Sequence, residues 1–241
     1  MDRVLVDPVT NLAIGEQVEL GPEESRHLVR VRRAEAGSRG ELLDGAGRRA
    51  AGTVIELGGP KRSPAAVVEV EEAHEEPPPH PWIEVWAATP KGDRLPTMVE
   101  QLGQVGAGAW RPLVSDRAVV DPGLRKLNRL RRIARESIKQ SGRSHALEIL
   151  EPMGMEAALE APLANDLLVV ADPSGDHPRS LSGADPSRAR VLIGPEGGWS
   201  PAELERARSA GARVNSLGES IMRIGTAAVV ATALVRTSLV S

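Results

Sequence analysis

The sequence predicts an α/β protein of two domains: a small N-terminal β-barrel, then a larger domain built on a mainly parallel sheet with helices on both faces. Three observations carry that expectation. The acidic, proline-rich stretch EEPPPHP, Glu75 to Pro81, suits neither a helix nor a central strand, because each proline lacks an N–H and crowds the preceding helical turn, so it reads as a linker. Before it, short apolar or alternating pieces are broken by Gly, Pro and Asp-Gly turns, the pattern of a small barrel over residues 1–74. After it, over residues 82–241, apolar strand-like runs alternate with helical stretches, which argues for βαβ units.

In order, RVLVD, GELLDG, AGTVIEL and AAVVEVEE read as the barrel strands, and EESRHLVRVRR reads as a short helix carrying Arg26, Arg30, Arg32 and Arg33. Beyond the linker, WIEVWAA reads as a strand, DRLPTMVEQLGQVG as a helix, AWRPLVS as a strand and GLRKLNRLRRIARESIKQSGR as an arginine-rich helix. LLVVAD and RVLIGPEGG follow as strands, then the helix SPAELERARSAG, and TAAVVATALVRTSLV closes the chain as an apolar helix. In SPAELERARSAG, Ser200 is placed to cap, Pro201 fits the first helical position, Glu203 completes a capping box and Gly211 can end the helix.

Composition excludes several classes. Hydrophobic residues at 41% and charged residues at 26% are those of an ordinary globular chain, neither disordered nor fibrous. Cysteine is absent, which removes disulfides, zinc-thiolate sites and thiol catalysis and fits a reducing cytoplasm. MDRVLVDPVT carries charge where a signal peptide needs an apolar core, and the run Ala227 to Val235 is far shorter than the roughly 20 residues a bilayer requires, so no membrane role is expected. His27, His74, His80, His145 and His177 show no ligand spacing, so no metal is expected, and no G-x-S-x-G elbow supports a serine hydrolase. The net charge of −3 gives no global nucleic-acid signature, and with neither Phe nor Tyr only Trp82, Trp86, Trp110 and Trp199 are available to stack on a base.

Two loops and one helix carry the chemistry. LIGPEGGWS, Leu192 to Ser200, sets a glycine-rich turn between a strand end and a helix start, where ligands of open parallel sheets bind. It lacks the lysine of a Walker loop and the G-x-G-x-x-G of a dinucleotide fingerprint, and Glu196 would repel phosphate, so a neutral or cationic ligand fits better. The simpler reading, that the glycines merely permit a tight turn, weighs about equally for this loop alone. LGESIM, Leu217 to Met222, again leads from a strand end through a glycine toward a helix, and the two loops together suit an apolar slot for an adenine ring. Arg223 reads most simply as a helix-start arginine paired to a carboxylate; the functional alternative is a clamp on developing negative charge. Arg125, Lys126, Arg129, Arg131, Arg132, Arg135, Lys139 and Arg143 face the single acid Glu136, a bias that favours a phosphate-contacting surface over an ordinary solvated helix.

IGPEGGWSPAEL, LGESIMRIGTA and the QSGR of Gln140 to Arg143 closely resemble the RsmE family of 16S ribosomal RNA uridine-N3 methyltransferases, and the resemblance covers nearly the whole chain. His27 with the VRR of Val31 to Arg33, and the DGAG of Asp44 to Gly47, look like that family's PUA-like RNA-binding barrel; PKGDRL from Pro90 and the RPLVSDR ending at Arg117 look like its first βαβ unit. The resemblance implies a C-terminal SPOUT α/β-knot, a deep trefoil knot on a mostly parallel sheet, after the PUA-like barrel. It implies bound S-adenosyl-L-methionine, a ribosomal RNA substrate in the small subunit, and a cytoplasmic homodimer. Carried onto this chain, the cofactor residues are Ala171, Ile193, Gly194, Pro195, Glu196, Gly197, Gly198, Leu217, Gly218, Ser220, Ile221 and Met222. Arg223 becomes the catalytic residue, stabilising the uracil oxygen that gains charge, and Arg143, Lys139, Arg135, Arg132, Lys91, Arg30 and Arg33 become RNA contacts.

The chain departs from the pattern in three places, the mildest being Val4 and Leu5 where aromatic residues are usual, which keeps the apolar character. The usual L-R-T-E-T-A is M-R-I-G-T-A at Met222 to Ala227, and the usual E-L-G is Gln104, Val105, Gly106, so two carboxylates are missing. Those losses keep two alternatives open: a SPOUT methyltransferase acting on another RNA site, and a non-catalytic cofactor-binding RNA-binding or assembly paralogue.

Overall fold

The computed structural model describes residues 2–60, 64–118, 123–160, 166–176 and 185–239; His177 lies outside them. The chain forms two compact units, Met1–Pro78 with Arg135–Ala146, and Pro79–Ala134 with Leu147–Ser241.

The first unit holds β1 (Asp2–Leu5), β2 (Gln17–Glu19), α1 (Pro22–Arg26) continued by a π-helical turn (His27–Val31), β3 (Arg39–Leu43), β4 (Arg48–Gly58) and β5 (Ala65–Glu75). Its five-stranded sheet runs β1-β3-β4-β5-β2, with β1 and β3 parallel and the other pairs antiparallel. Gly52 marks a register shift between β4 and β5, where a Cβ would collide with the Glu69 carbonyl, so a strand-weakening residue is required by close backbone approach. Alternate side chains of the strands (Val4, Leu42, Val54, Val68, Val70) bury with Leu28 of the π-helical turn.

Beside that core, the buried Glu41 carboxylate accepts from Arg3 Nε at 2.8 Å and from Arg49 Nε at 3.0 Å. Arg49 also donates to Glu76 at 2.7 Å, and Ser144 Oγ donates to the other Glu76 oxygen at 2.6 Å. Burial alone would raise the Glu41 pKa, but the two arginines outweigh it and hold the carboxyl below its ordinary value of 4.5. The Ser144 hydroxyl and then Arg49 hold Glu76 below the same value. A depressed carboxyl contributes stability that is complete above its unfolded pKa and disappears as pH falls through the folded one. The urea midpoint is therefore expected to drop between about pH 5 and about pH 3, and Glu41→Gln, weaker at neutral pH, to show a flatter acid limb. An identical acid limb in the variant contradicts the role given to this cluster.

Segment Arg135–Ala146 belongs to the first unit, although α3 (Gly123–Ser141) reads as one continuous helix of the second domain. The reason is its own contacts: Arg135 donates to the Val6 carbonyl at 2.7 Å, Lys139 pairs with Glu24 at 2.8 Å, and His145 forms a β-bridge with Ala46. A stripe of apolar residues at helical spacing shows a buried face but not which domain covers it.

In the second unit, β6 (Trp82–Ala87), α2 (Arg94–Gln104), β7 (Ala109–Val114), β8 (Glu148–Ile149), β9 (Met153–Gly154), α4 (Met155–Leu159), β10 (Asp166–Asp176), β11 (Arg188–Ile193), α5 (Pro201–Ser209), β12 (Arg213–Asn215) and α6 (Ile224–Leu239) follow in order. The strands form a sheet ordered β12-β10-β11-β6-β7-β8, with β9 also on β7, and all its described pairs are parallel. Period-two alternation divides the core. Ile83, Val85, Val169, Val191 and Ile193 face α2, α3 and α6 through residues such as Met98, Leu127 and Ala228. Trp86, Leu168, Val170 and Leu192 face the opposite side with Met155, Trp199 and Ala207. Burial on both faces explains why these strands read as unbroken apolar runs. The two-residue strands β8 and β9 and the five-residue helix α4 are too short to show a period, and the sequence did not predict them.

Candidate cofactor site at the sheet edge

The GPEGG turn starts where β11 ends, at Ile193. Its shape follows from three anchors. Gly198 adopts φ +67 and donates to the Pro195 carbonyl at 2.9 Å, closing the turn with a residue suited to the left-handed region. Trp199 folds under Gly194, where a Cβ would meet the indole at 3.0 Å, and its Nε1 donates to the Ala171 carbonyl of β10 at 2.9 Å. The third anchor is the capping box expected from sequence: Ser200 Oγ accepts from Glu203 N at 3.2 Å, and Glu203 Oε2 accepts from Ser200 N at 2.7 Å. The same carboxylate, almost wholly buried, accepts from Asp116 N at 3.0 Å through Oε1. Both oxygens are used as acceptors, so Glu203→Gln turns one of them into a donor facing a backbone N–H. A loss of about 1–3 kcal/mol in unfolding free energy is expected from denaturant titration; an unchanged midpoint contradicts the bridging role.

The second loop follows β12. Ser216 N donates to the Asp176 carbonyl at 2.8 Å, Ser216 Oγ donates to the Gly218 carbonyl at 3.1 Å, and Gly218 sits at φ +139. The chain then enters α6, whose first turn is closed by Ala227 N donating to the Arg223 carbonyl at 2.8 Å.

Between the two loops and the end of β10 lies a cavity of about 310 Å³. All twelve residues assigned to the cofactor from sequence line it. The sequence reading missed Trp199, Asp172, Pro173, Ser216, Glu219, Ile224 and Ala227, which complete the wall. Trp199 was legible in principle, since it follows the turn directly; Asp172 and Pro173 adjoin Ala171, which only the family resemblance assigned, because nothing in LLVVAD itself shows that β10 lies beside β11. The wall combines apolar surface (Ile193, Leu217, Met222, Ala227) with three carboxylates, Asp172, Glu196 and Glu219, and no Lys, Arg or His. Such a lining repels phosphate and suits a cation joined to an apolar ring.

Arg223 is exposed between two lining residues, Met222 and Ile224, and is not itself part of the wall. Among the described residues it makes no ion pair, and the first turn of α6 contains no acid. Within the described residues of this chain, then, Arg223 is not paired to a carboxylate. A cation at a helix N-terminus opposes the macrodipole, so stability does not explain it there.

The basic residues divide. Lys139 is held by Glu24 at 2.8 Å and Glu136 at 2.5 Å; burial lowers its pKa, but the two carboxylates outweigh it and hold the ammonium above its usual value. Arg135 is spent on the Val6 and Asp44 carbonyls, Arg131 on Glu151 and the Ile149 carbonyl, and Arg143 is half-buried and partnered. Arg125, Arg129 and Arg132 on α3 and Lys91 in the loop after β6 are exposed, as are Arg30 and Arg33 in the first unit, where Arg33 adopts φ +55. The expected lopsided helix is thus partly neutralised by acids from distant sequence positions. Among the described residues no His, Asp or Glu group could hold a metal ion, and no helix is long and apolar enough to cross a membrane.

The family model for an RNA methyltransferase domain matches residues 76–236, and that for an RNA methyltransferase PUA domain matches residues 20–62. The Mycobacterium tuberculosis protein named ribosomal RNA small subunit methyltransferase E is 31% identical over 221 residues, 87% of this chain and 82% of the relative. This chain belongs to the RsmE family of RNA methyltransferases. A Synechocystis protein of the same name is 28% identical over 245 residues, 99% of this chain and 78% of its own. The solved structure of the Neisseria gonorrhoeae enzyme, described as bound to S-adenosyl methionine, superposes with a TM-score of 0.82 at 28% identity, covering 98% of this chain and 97% of that one. A probable rRNA methyltransferase from Porphyromonas gingivalis gives 0.80 at 26%, covering 92% and 93%. The fold is accordingly the SPOUT α/β-knot with an N-terminal PUA-like unit, as the RsmE resemblance implied.

Proposed function

We propose that this chain is an S-adenosyl-L-methionine-dependent methyltransferase that modifies N3 of a uridine in 16S ribosomal RNA of the small subunit, working as a homodimer in the cytoplasm. The observation that carries the cofactor assignment is the cavity wall: apolar surface, backbone of two glycine-bearing loops, three carboxylates and no cation, at the carboxyl ends of adjacent parallel strands. Membership of the RsmE family supplies the RNA substrate class, and the name carried by the relatives supports the small-subunit target; the N3 position and the homodimer rest on the family resemblance.

The residues fit the cofactor. When bound, it supplies an electrophilic methyl group on a sulfonium. Ile193, Leu217, Met222 and Ala227 would take the adenine, while Glu196, Glu219 and Asp172, which also line the cavity, would offset the positive charge. Arg223 at the rim would receive the uracil, donating to the oxygen that gains negative charge as N3 gives up its proton to solvent. The two loops would hold the cofactor in one orientation toward the uracil, and such positioning supplies much of the acceleration. Exposed Lys91, Arg132, Arg30 and Arg33 contact phosphates.

A second reading, a non-catalytic paralogue, is favoured by the first turn of α6, where Ile224 and Gly225 leave no acid beside Arg223. One assay separates them. Small subunits lacking the modification are incubated with the protein and methyl-labelled cofactor, and the digested RNA is analysed by nucleoside. Label in 3-methyluridine is expected; label in another nucleoside moves the target, and no label despite measured cofactor binding supports the paralogue.

A further inference from the structure

The glycines of the GPEGG turn are not alike. Gly198 is explained by its positive φ, and Gly194 by the indole beneath it. Gly197 has neither reason, yet an added Cβ there would meet Arg117 Cδ at 3.3 Å and Arg117 Cβ at 3.6 Å. Its Cα is the floor on which the Arg117 side chain lies. From that position Arg117 Nη1 donates to the Gly197 carbonyl at 2.7 Å, across 80 residues of sequence.

The contact lies on the strand order. Arg117 follows β7, and β6 separates β7 from β11, so the loop after β7 passes over the end of β6 to reach the turn. It is held there twice more, by Asp116 N donating to Glu203 at 3.0 Å and by Ser200 Oγ donating to Asp116 at 3.0 Å. These bonds fix the end of the turn, whereas Arg117 acts on its middle. The peptide between Gly197 and Gly198 is thereby fixed at both ends, its N–H on the Pro195 carbonyl and its C=O on the guanidinium. Without the arginine, an exposed pair of residues, Glu196 and Gly197, is free to rotate that peptide and move the wall of the cavity.

We propose that Arg117 is a positioning residue of the cofactor site, clamping the Gly197 carbonyl so that the turn is preformed for its ligand. The clamp rests on geometry alone; its effect on S-adenosyl-L-methionine rests on the proposed function. A preformed loop binds without the cost of ordering, so loss of the clamp acts on affinity.

Hydrogen exchange and calorimetric titration with S-adenosyl-L-methionine test the two halves separately. In unliganded Arg117→Ala, amides of Gly197 to Ser200 are expected to exchange about tenfold faster than in the wild type while core strands β6 and β11 keep their rates. Its cofactor Kd is expected to rise about tenfold, with Arg117→Lys recovering part of the loss through a single, less directed donor. Gly197→Ala, whose Cβ crowds the Arg117 side chain by a few tenths of an ångström, is expected to weaken binding in the wild type and to add little to Arg117→Ala, the non-additivity of two residues acting through one contact. Unchanged exchange in the turn overturns the clamp. Faster exchange with unchanged Kd overturns its role toward the cofactor, as do additive effects of the two substitutions. A wild-type protein that binds no cofactor contradicts the proposed function, and the positioning role falls with it.

Discussion

Replacing Arg223 with alanine is expected to lower turnover by about 10²–10³-fold, the range found when one donor to a developing oxyanion is removed. Cofactor affinity is expected to stay within about twofold, because Arg223 stands outside the cavity wall while both its chain neighbours belong to it. The thermal midpoint is expected to hold or rise slightly, since the residue makes no described ion pair and its charge opposes the helix dipole of α6. That combination, lost chemistry with intact binding and undiminished stability, separates a residue that meets the substrate from one that supports the fold. Single-turnover rates with labelled cofactor, calorimetry and thermal denaturation provide the readouts. A variant with full activity, or one that loses cofactor binding in proportion to rate, contradicts the assignment.

Gly218→Val is expected to weaken S-adenosyl-L-methionine binding by about 10–100-fold, because φ +139 is closed to a β-branched residue and costs about 1–3 kcal/mol to hold. No atom stands within 4 Å of the position a Cβ would take, so the penalty comes from backbone conformation and not from collision. The strain is relieved by moving the loop, and the loop is cavity wall. Global stability is expected to change little, since Gly218 is exposed and an added Cβ would meet no atom within 4 Å. Calorimetric titration and denaturant unfolding of the same variant check both parts. Wild-type affinity in Gly218→Val contradicts the claim that this loop is preformed against the ligand.

The site was legible in the sequence to the extent that its chemistry is local. Ser200, Pro201 and Glu203 announce a helix start within four residues, and the structure forms that capping box, which fixes where the GPEGG turn must lie. The two glycine loops are each read from a few neighbouring residues, the twelve cofactor positions, Ala171 of β10 among them, come with the family resemblance, and all twelve meet at one cavity. What sequence could not show depends on neighbours brought in by the fold. Asp172 joins the wall because β10 pairs with β11, and Arg117 reaches Gly197 because β7 lies two strands away. The basic helix shows the opposite case: its composition was read correctly, but Glu24 and Glu151 arrive from outside the helix and claim Lys139 and Arg131. The first unit likewise gains Arg135–Ala146 from a helix whose period runs unbroken through the boundary.

Recognition of a cationic adenine cofactor is the property assigned to the cavity. Its most direct test is parallel calorimetric titration of the wild-type protein with S-adenosyl-L-methionine and with ATP, which share the adenosine and differ in the charge of the attached group. Saturable binding of the sulfonium compound and at least about 100-fold weaker binding of the triphosphate are expected, since Asp172, Glu196 and Glu219 line the cavity with no cation among the lining residues. Equal affinity, or preference for ATP, would contradict that assignment.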